Sequence, residues 1–436
     1  MKKYMKLSLS IMASLVILTS CETDFVDPNS PTEETALSSR EGLFAVAVGL
    51  RQTFAVTGLR YVIESPALTT REASYVVTLE QYRELEEGAQ NLVNANAHIQ
   101  RLWGSMLQVI YRSEEILAAT EEVDLEDGTT SGLRAMALFF KAMSIGSLAQ
   151  NFEQVVVETS LDNNAEFIPR LQAYELAIAD LEAAKTTLAQ TPLSDEFLSS
   201  GVIGSIDLEN SINAYLARYN LFVGNYAEAI SAANLVDVSV QSLFTYDGQN
   251  PNPIRGNGSV INIQPRDNPL VDRFDGDGRT DFYFTQTADI SAQGLPIDSY
   301  NLNSFFGMPE SSIPVYLPGE MDLIIAEASV RSGDSNPAVD AINRVRTKTN
   351  DIYGLNAGLA EYSGAVTEDA LLEEIYRNRR AELFMSGMSL EDSRRFGRTQ
   401  PSGAPSQFDE ERNRNFYPYP VQERLNNSNT PPDPAI

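Results

Sequence analysis

The chain has 436 residues, of which 43% are hydrophobic, and this is enough to fill the core of one large or two ordinary domains. Its 60 acidic residues against 32 basic ones give a formal net charge of −28, which excludes a nucleic-acid-binding protein. His98 is the only histidine and Cys21 the only cysteine, so Ser-His-Asp and Cys-His catalytic sets, His-based zinc sites and internal disulfides are excluded. We predict a globular protein held together by packing, with His98 in a structural role.

The N-terminus has the pattern of an export signal. Basic residues are followed by an apolar run at 7–18 that is too short to span a bilayer as a permanent helix. The sequence Leu18-Thr19-Ser20-Cys21 then resembles a bacterial lipobox. We therefore predict a signal peptide at 1–20, lipidation of Cys21, and an acidic Pro/Ser-rich tether at 21–34.

Apolar residues recur at helical spacing through most of the chain. The pattern predicts helices at about 31–56, 91–120, 133–148, 171–188 and 368–385, and helical hairpins at about 211–236 and 320–345. Residues 57–88 show no sustained period and contain Gly58 and Pro66, which favours a long ordered loop there.

The two hairpins share one spacing of small residues. Ala326, Gly333 and Ala338 lie at offsets of 0, 7 and 12, and Ala217, Gly224 and Ala229 repeat these offsets. Small side chains let two helices approach closely, and a left-handed glycine can end the first helix. Such units cannot bury their apolar faces alone, so the pattern predicts a stack of tetratricopeptide-like helix pairs.

A Gly/Pro-rich segment interrupts this helical pattern between the two hairpins. Its short apolar runs predict a few strands among loops. The predicted fold is therefore mainly α: one domain at 35–436, with a helical scaffold at about 35–236 and 318–436 and a loop-rich ligand lobe at about 237–317.

Aromatic and planar polar side chains in the loops are candidates for sugar binding, because pyranose rings present an apolar face and a rim of hydroxyls. For each of them, packing within the protein is the competing interpretation. The predicted ligand-binding residues are Arg71, Tyr75, Tyr82, Arg273, Phe274, Asp275, Tyr283, Tyr300, Phe305 and Phe306.

Asp275, Asp277 and Asp281 lie in a glycine-containing segment that suggests a calcium site, since Ca²⁺ prefers carboxylate and carbonyl oxygens on tight loops. A plain Asp-Gly turn is the alternative, because the EF-hand spacing is absent. A glycosidase needs only two carboxylates at a set separation, and the sequence singles out no pair.

Several blocks, in order, resemble the SusD/RagB family of Bacteroidetes outer-membrane lipoproteins. Four helical blocks match: Trp103 with Tyr111, Asp180-Leu181 with Ala184, and the residues of each of the two hairpins. Arg379-Arg380 with Glu382-Leu383 matches a fifth. The motif Pro418-x-Pro420-x-x-Glu423 with Asn427 resembles the block that closes the family's sequences. Asn378, Ser386 and Ser389 depart from the usual Glu, Glu and Arg, and charge pairs that often brace the helix are therefore missing.

This resemblance implies a cell-surface lipoprotein of the outer membrane that is not an enzyme. It implies four tetratricopeptide-like helix pairs carrying an irregular ligand lobe. It also implies capture of oligosaccharides for a SusC-like TonB-dependent transporter, without a cofactor. Two other functions remain open from the residues alone: a scaffold that binds peptide or protein, and a carboxylate glycosidase.

Overall fold

The computed structural model describes residues 36–158, 164–256, 261–266, 275–291, 298–398 and 411–436. Helices dominate these residues, and the mainly α fold is confirmed. The helices are α1 Arg40–Gln52, α2 Leu59–Thr69, α3 Glu80–Glu87, α4 Ala97–Glu122, α5 Asp127–Asn151, α6 Arg170–Gln190, α7 Asp195–Ser199, α8 Leu208–Val223, α9 Tyr226–Asn234, α10 Gly278–Tyr283, α11 Pro318–Arg331, α12 Ser335–Arg346, α13 Glu368–Glu382, α14 Ser389–Arg395 and α15 Val421–Asn426.

The strands are short and pair two by two, always antiparallel. They are β1 Ala73–Tyr75, β2 Gln154–Val155, β3 Ile168–Pro169, β4 Leu243–Phe244, β5 Ile263–Pro265, β6 Phe284–Ser291, β7 Asp298–Leu302 and β8 Ile313–Pro314. The pairs are β1–β5, β2–β3, β4–β8 and β6–β7. We call the segment between α9 and α11 the insertion. Among the strand pairs, β1–β5 joins the insertion to the N-terminal part of the chain.

The helices stack in a continuous series. Helix α4 packs on α5, α5 on α6, α6 on α8, α8 on α9, α9 on α11, and α11 on both α12 and α13. Two helical stretches, Arg40–Thr69 and Asp127–Asn151, are long and apolar enough to cross a membrane by length and composition alone. In Asp127–Asn151, 83% of the apolar window is buried inside the protein, so it serves as a core helix.

Both predicted hairpins have the predicted glycine geometry. Gly224 ends α8 with φ 85°, and Gly333 follows α11 with φ 83°. The next amide reaches back five residues in each case, from Asn225 to the Asn220 carbonyl and from Asp334 to the Ser329 carbonyl, both at 2.9 Å. This is the bonding pattern of a Schellman motif, which satisfies carbonyls left over at the helix end.

Replacing Gly224 by alanine should lower the free energy of unfolding by about 1–2 kcal/mol, because a Cβ makes the left-handed conformation strained. Gly49 is the matched control. It lies inside α1, where an added Cβ has no neighbour within 4 Å, so Gly49→Ala should be neutral or stabilising by up to about 1 kcal/mol. Urea unfolding of the variants measures the difference. Equal stability of the two alanine variants would contradict this account of the hairpin.

The prediction of a long loop at 57–88 is wrong. Helix α1 continues through a π-helical segment, Thr53–Gly58, into α2, and helix α3 follows. Gly58 is there for close packing, because a Cβ on it would collide with the side chain of Met106 on α4. Pro66 is tolerated inside α2 since nearly every residue of that helix is buried, and packing outweighs the missing hydrogen bond.

The C-terminal segment packs back onto the helical core. Tyr417 is fully buried, and its amide donates to the Asn151 carbonyl at 3.0 Å. Trp103 is 3% exposed, and its Nε1 donates to Glu423 at 3.0 Å. The structural interpretation of His98 also agrees with the structure, since its Nε2 lies 2.9 Å from the buried Glu64 carboxylate.

Candidate functional site

A pocket lies where the insertion meets the helical scaffold, and the space within it, which is partly open to solvent, is about 530 Å³. The insertion contributes Tyr283, Phe305, Phe306 and residues around β8, while the scaffold contributes α8, the start of α11 and the turn after α13. We call it the junction pocket. It is lined by Leu59, Ile63, Tyr215, Arg218, Phe244, Tyr283, Phe305, Phe306, Ile313, Pro314, Val315, Tyr316, Leu317, Glu320, Leu383, Phe384, Met385 and Ser386.

One ion pair is set among these largely apolar walls. Arg218 on α8 donates Nε to Glu320 Oε1 at 2.6 Å and Nη2 to Oε2 at 2.7 Å. Its guanidinium also lies over the Tyr215 ring, 4.0 Å from the centroid. Burial alone would lower the pKa of Arg218, but the Glu320 carboxylate raises it above its ordinary value, so Arg218 stays charged. A few fixed polar groups in an apolar cleft are typical of ligand sites.

Two non-glycine residues near the pocket have left-handed backbone. Met385 lines it with φ 51°, and Ser304, directly before Phe305, has φ 47°. Both are held by hydrogen bonds: the Met385 amide donates to Glu72 at 3.3 Å, and the Ser304 hydroxyl donates to the Phe282 carbonyl at 2.7 Å. Such backbone persists only where the surroundings enforce it, and it clusters at functional sites.

Three of the predicted ligand-binding residues come together in this pocket. Phe305 is half-buried, with its ring centroid 5.0 Å from that of Phe282 and 5.9 Å from that of Tyr353. Tyr283 and Phe306 are 1% and 2% exposed, and the Tyr283 hydroxyl donates to the Glu382 carbonyl at 2.9 Å. Phe305 therefore offers the most accessible aromatic surface of the three.

Tyr300 lies outside the pocket lining. Its ring stacks on that of Phe284, with centroids 5.7 Å apart, and it remains half-buried. Cys21, Arg273 and Phe274 fall outside the described residues, so their assignments stay predictions.

Arg71, Tyr75 and Tyr82 lie apart from the junction pocket lining and are all buried. Arg71 donates to the Glu86 carbonyl, and Tyr75 belongs to β1 in register with Ile263 on β5. The Tyr82 hydroxyl lies 2.6 Å from an Arg60 donor. The structure corrects the expectation of an exposed loop here, because these side chains are committed to internal contacts.

The calcium prediction is also corrected. Asp277 caps α10, and its carboxylate accepts both Nε and Nη2 of Arg279, with Nη2 to Oδ2 at 2.7 Å. Asp275 and Asp281 are exposed. Within the part of the chain that the structure describes, no group of three or more His, Cys, Asp or Glu side chains could hold a metal ion. Arg279 already supplies the counter-charge of the Asp277 carboxylate.

Sequence reasoning missed Arg218 and Glu320. They are 102 residues apart, and only the fold shows that they meet. Each sits at a buried position of an apolar helix, Arg218 on α8 and Glu320 in the first turn of α11. A charged residue at a buried position of a helix indicates an oppositely charged partner, because unpaired buried charges are rare.

The pocket has groups for binding rather than for hydrolysis. Among its lining residues Glu320 is the one carboxylate, and Arg218 engages both of its oxygens. Glycosidases place two carboxyl groups across the scissile bond. The half-buried Phe305 ring can instead stack on the apolar face of a sugar, and the Arg218–Glu320 pair is the charged part of the same lining.

The sequence of residues 306–432 matches the family model described as the SusD family. This stretch contains Phe306, β8, Glu320 and the turn at Phe384–Ser386, and so includes much of the junction pocket lining. No match to a curated protein reaches significance.

Solved structures from Bacteroides share the fold over nearly the whole chain. A SusD-like carbohydrate-binding protein from Bacteroides fragilis is 15% identical, with a TM-score of 0.68 over 91% of this chain and 99% of the other. B. fragilis NanU is 14% identical, with a TM-score of 0.69 over 94% and 99%. A SusD superfamily protein from Bacteroides vulgatus is 16% identical, with a TM-score of 0.67 over 89% and 98%.

At this level of identity the structural similarity establishes the fold, and the match at 306–432 adds the sequence signature of the family. The helical blocks, the insertion and the closing segment occur in an order that agrees with the structural similarity and with the sequence match. The chain therefore has the fold of the SusD-like structures, and its residues 306–432 match the SusD family model.

Proposed function

We propose that the protein is a cell-surface lipoprotein that binds oligosaccharide nutrients and delivers them to a SusC-like TonB-dependent outer-membrane transporter. Cys21 carries the lipid after removal of residues 1–20, and residues 21–34 form the tether. Residues 237–317 form the ligand lobe, with Tyr283, Phe305 and Phe306 as its contacts toward the scaffold. Arg273, Phe274 and Tyr300 are further contacts proposed from the sequence.

The observation that carries this proposal is the junction pocket in a chain with the SusD fold. Its half-buried Phe305 offers a flat apolar surface to a ligand. Solved relatives of the same fold include proteins described as SusD-like carbohydrate-binding proteins. A binding role without catalysis agrees with the single, paired carboxylate of the lining.

Native affinity electrophoresis through gels containing starch, laminarin, xylan, mannan or polygalacturonate tests this function. We expect at least one polysaccharide to retard the protein, and Phe305→Ala to weaken that interaction by about tenfold. A lost ring contact of about 1.4 kcal/mol corresponds to that factor.

Phe44→Ala is the matched control, because Phe44 is also half-buried against the core but lies on α1, outside the pocket lining. It should retain the wild-type mobility shift. If no polysaccharide retards the protein and a peptide library yields binders, the peptide-scaffold function replaces the one proposed. Release of sugar from any polymer would favour a glycosidase instead.

A further inference from the structure

A second pocket lies next to the π-helical segment, and the space within it, which is partly open to solvent, is about 500 Å³. Arg51, Gln52, Thr245, Asp247 and Asn250 supply polar groups to its lining, while Val56, Leu243 and neighbouring residues supply an apolar part. We call it the polar pocket. Phe244 lines both this pocket and the junction pocket and is 3% exposed, so the two lie on either side of one buried ring.

The frame of the polar pocket is fixed by packing and hydrogen bonds. The Tyr246 hydroxyl donates to the Ala55 carbonyl of the π-helical segment at 3.1 Å, which ties the loop after β4 to that segment. The Phe54 ring packs against Phe244, with centroids 5.7 Å apart. The Leu243 amide donates to the Ser205 carbonyl at 3.0 Å. π-Helical segments occur frequently at functional sites, and here one supplies part of the pocket wall.

The loop that carries Asp247 and Asn250 has its own internal bonds. Asp247 Oδ1 accepts the amides of Gln249 at 2.7 Å and Asn250 at 2.8 Å. These backbone donors lower the pKa of Asp247, so the carboxylate is charged. Nearby, Asn252 Nδ2 donates to the Phe305 carbonyl at 2.9 Å, which links this loop to the wall of the junction pocket. The Asp247 and Asn250 side chains are thus held on a braced loop.

The guanidinium of Arg51 has hydrogen-bond donors available for a ligand. It is half-buried, and within the described residues it donates Nη1 to the Gly201 carbonyl at 3.1 Å and forms no ion pair. Burial lowers the pKa of its guanidinium. The fully buried Arg279 and Arg379, by contrast, are paired with carboxylates. Nε and Nη2 of Arg51 therefore remain available beside an apolar wall.

We propose that the polar pocket is a second sugar-binding site, which takes one neutral hexose or pentose unit of an oligosaccharide. Arg51 and Asn250 donate to adjacent hydroxyls, Asp247 accepts from another, and the sugar's apolar face covers Val56 and Leu243. The mixture of a cation, an anion and an amide suits hydroxyl groups, which both donate and accept. An anionic sugar would be repelled by the negative charge of Asp247. This inference rests on the proposed glycan-binding function and adds a site to it.

Two variants test the site. Arg51→Met keeps the aliphatic stem and removes the donors, and we expect it to lower the affinity for the neutral polysaccharides of the electrophoresis panel by about tenfold. Asn250→Ala removes a side-chain amide and leaves the contact between Arg51 and Gly201 in place, and it should lower affinity by about threefold. Arg344→Met is the control, since Arg344 is exposed and pairs with Asp322 on the scaffold. Urea midpoints for all three confirm that the variants are folded.

The outcomes distinguish a failure of the second site from a failure of the proposed glycan-binding function. Retardation of wild type that is equally strong in Arg51→Met and Asn250→Ala, but weak in Phe305→Ala, overturns the second site and leaves the proposed function standing. Loss of binding to polygalacturonate alone, with neutral polymers unaffected, overturns the assignment to neutral sugar.

A second readout needs no polymer. Saturation-transfer difference NMR with the methyl glycosides of glucose, mannose, galactose and xylose should give a signal for Phe305→Ala that the double variant Phe305→Ala/Arg51→Met loses. A signal equally strong in the double variant, or absent from Phe305→Ala, overturns the site.

Discussion

Replacing Glu320 by leucine should destabilise the protein by about 3–5 kcal/mol, because it leaves the buried Arg218 guanidinium without its counter-charge. Arg218 is 4% exposed and Glu320 1%, so the guanidinium that is left behind is poorly hydrated. The double variant Arg218→Met/Glu320→Leu should recover most of this loss, since two apolar side chains of similar length fill the same space. Urea unfolding of wild type, both single variants and the double variant gives the coupling free energy.

The ion pair also bears on the site. If the double variant folds but no longer binds the polysaccharide that retards wild type, the pair contributes to recognition and not only to stability. A cost below about 1 kcal/mol for Glu320→Leu would show that the pair behaves like an exposed one, contrary to its burial.

The stability of the protein should fall steeply in acid through Glu391. Although burial alone would raise its pKa, Arg170, Arg394 and Arg395 bring the pKa of the Glu391 carboxyl from its ordinary 4.5 to about 2. A carboxyl whose pKa is lower in the folded state contributes its full stabilisation above its unfolded pKa, and the contribution is lost as pH falls from 4.5 toward 2. For a group 1% exposed, this shift corresponds to about 3 kcal/mol.

Urea unfolding from pH 6 down to pH 2.5 measures this effect. Glu391→Gln should be less stable than wild type at pH 6, and the difference between the two should shrink as the pH approaches 2.5. Glu41→Gln is the control, because Glu41 is exposed and pairs with the exposed Arg40. A difference between Glu391→Gln and wild type that stays constant with pH would contradict the role of the arginines.

The helical hairpins could be predicted because their determinants are local. Gly224 and Gly333 each lie at the end of an apolar helix, where they adopt left-handed backbone. The spacing of the small residues around them is visible in the sequence. The π-helical segment and α2 could not be predicted in this way. Gly58 and Pro66 resemble helix breakers locally, and only the packing of Met106 against Gly58 and the burial of α2 explain why the helix continues.

The candidate site was predictable in part. An aromatic-rich insertion after a helical scaffold placed Phe305 and Phe306 among the candidates, and both line the junction pocket. Tyr75 and Tyr82 were predicted by the same reasoning but are buried, because residue type alone does not distinguish a ligand-facing ring from one that fills the core. Arg51 and Asn250 gave no sequence signal, since neither belongs to a motif and only the fold brings them to one pocket.

The position of the site follows from the order of the chain. The scaffold is built from segments on both sides of the insertion, and β4–β8 closes the insertion at its two ends. The junction pocket lies at this closure, where residues of α8, α11 and the insertion meet. Changes in the insertion can therefore alter the ligand while the Schellman hairpins and buried ion pairs keep the scaffold unchanged.

The most direct test is a crystal structure of the protein with an oligosaccharide derived from the polysaccharide that retards it. We predict electron density for a sugar unit against Phe305 in the junction pocket, with the Arg218–Glu320 pair intact at its inner end. Sugar density confined to the outer face of the helical scaffold, with an empty junction pocket, would contradict the central claim.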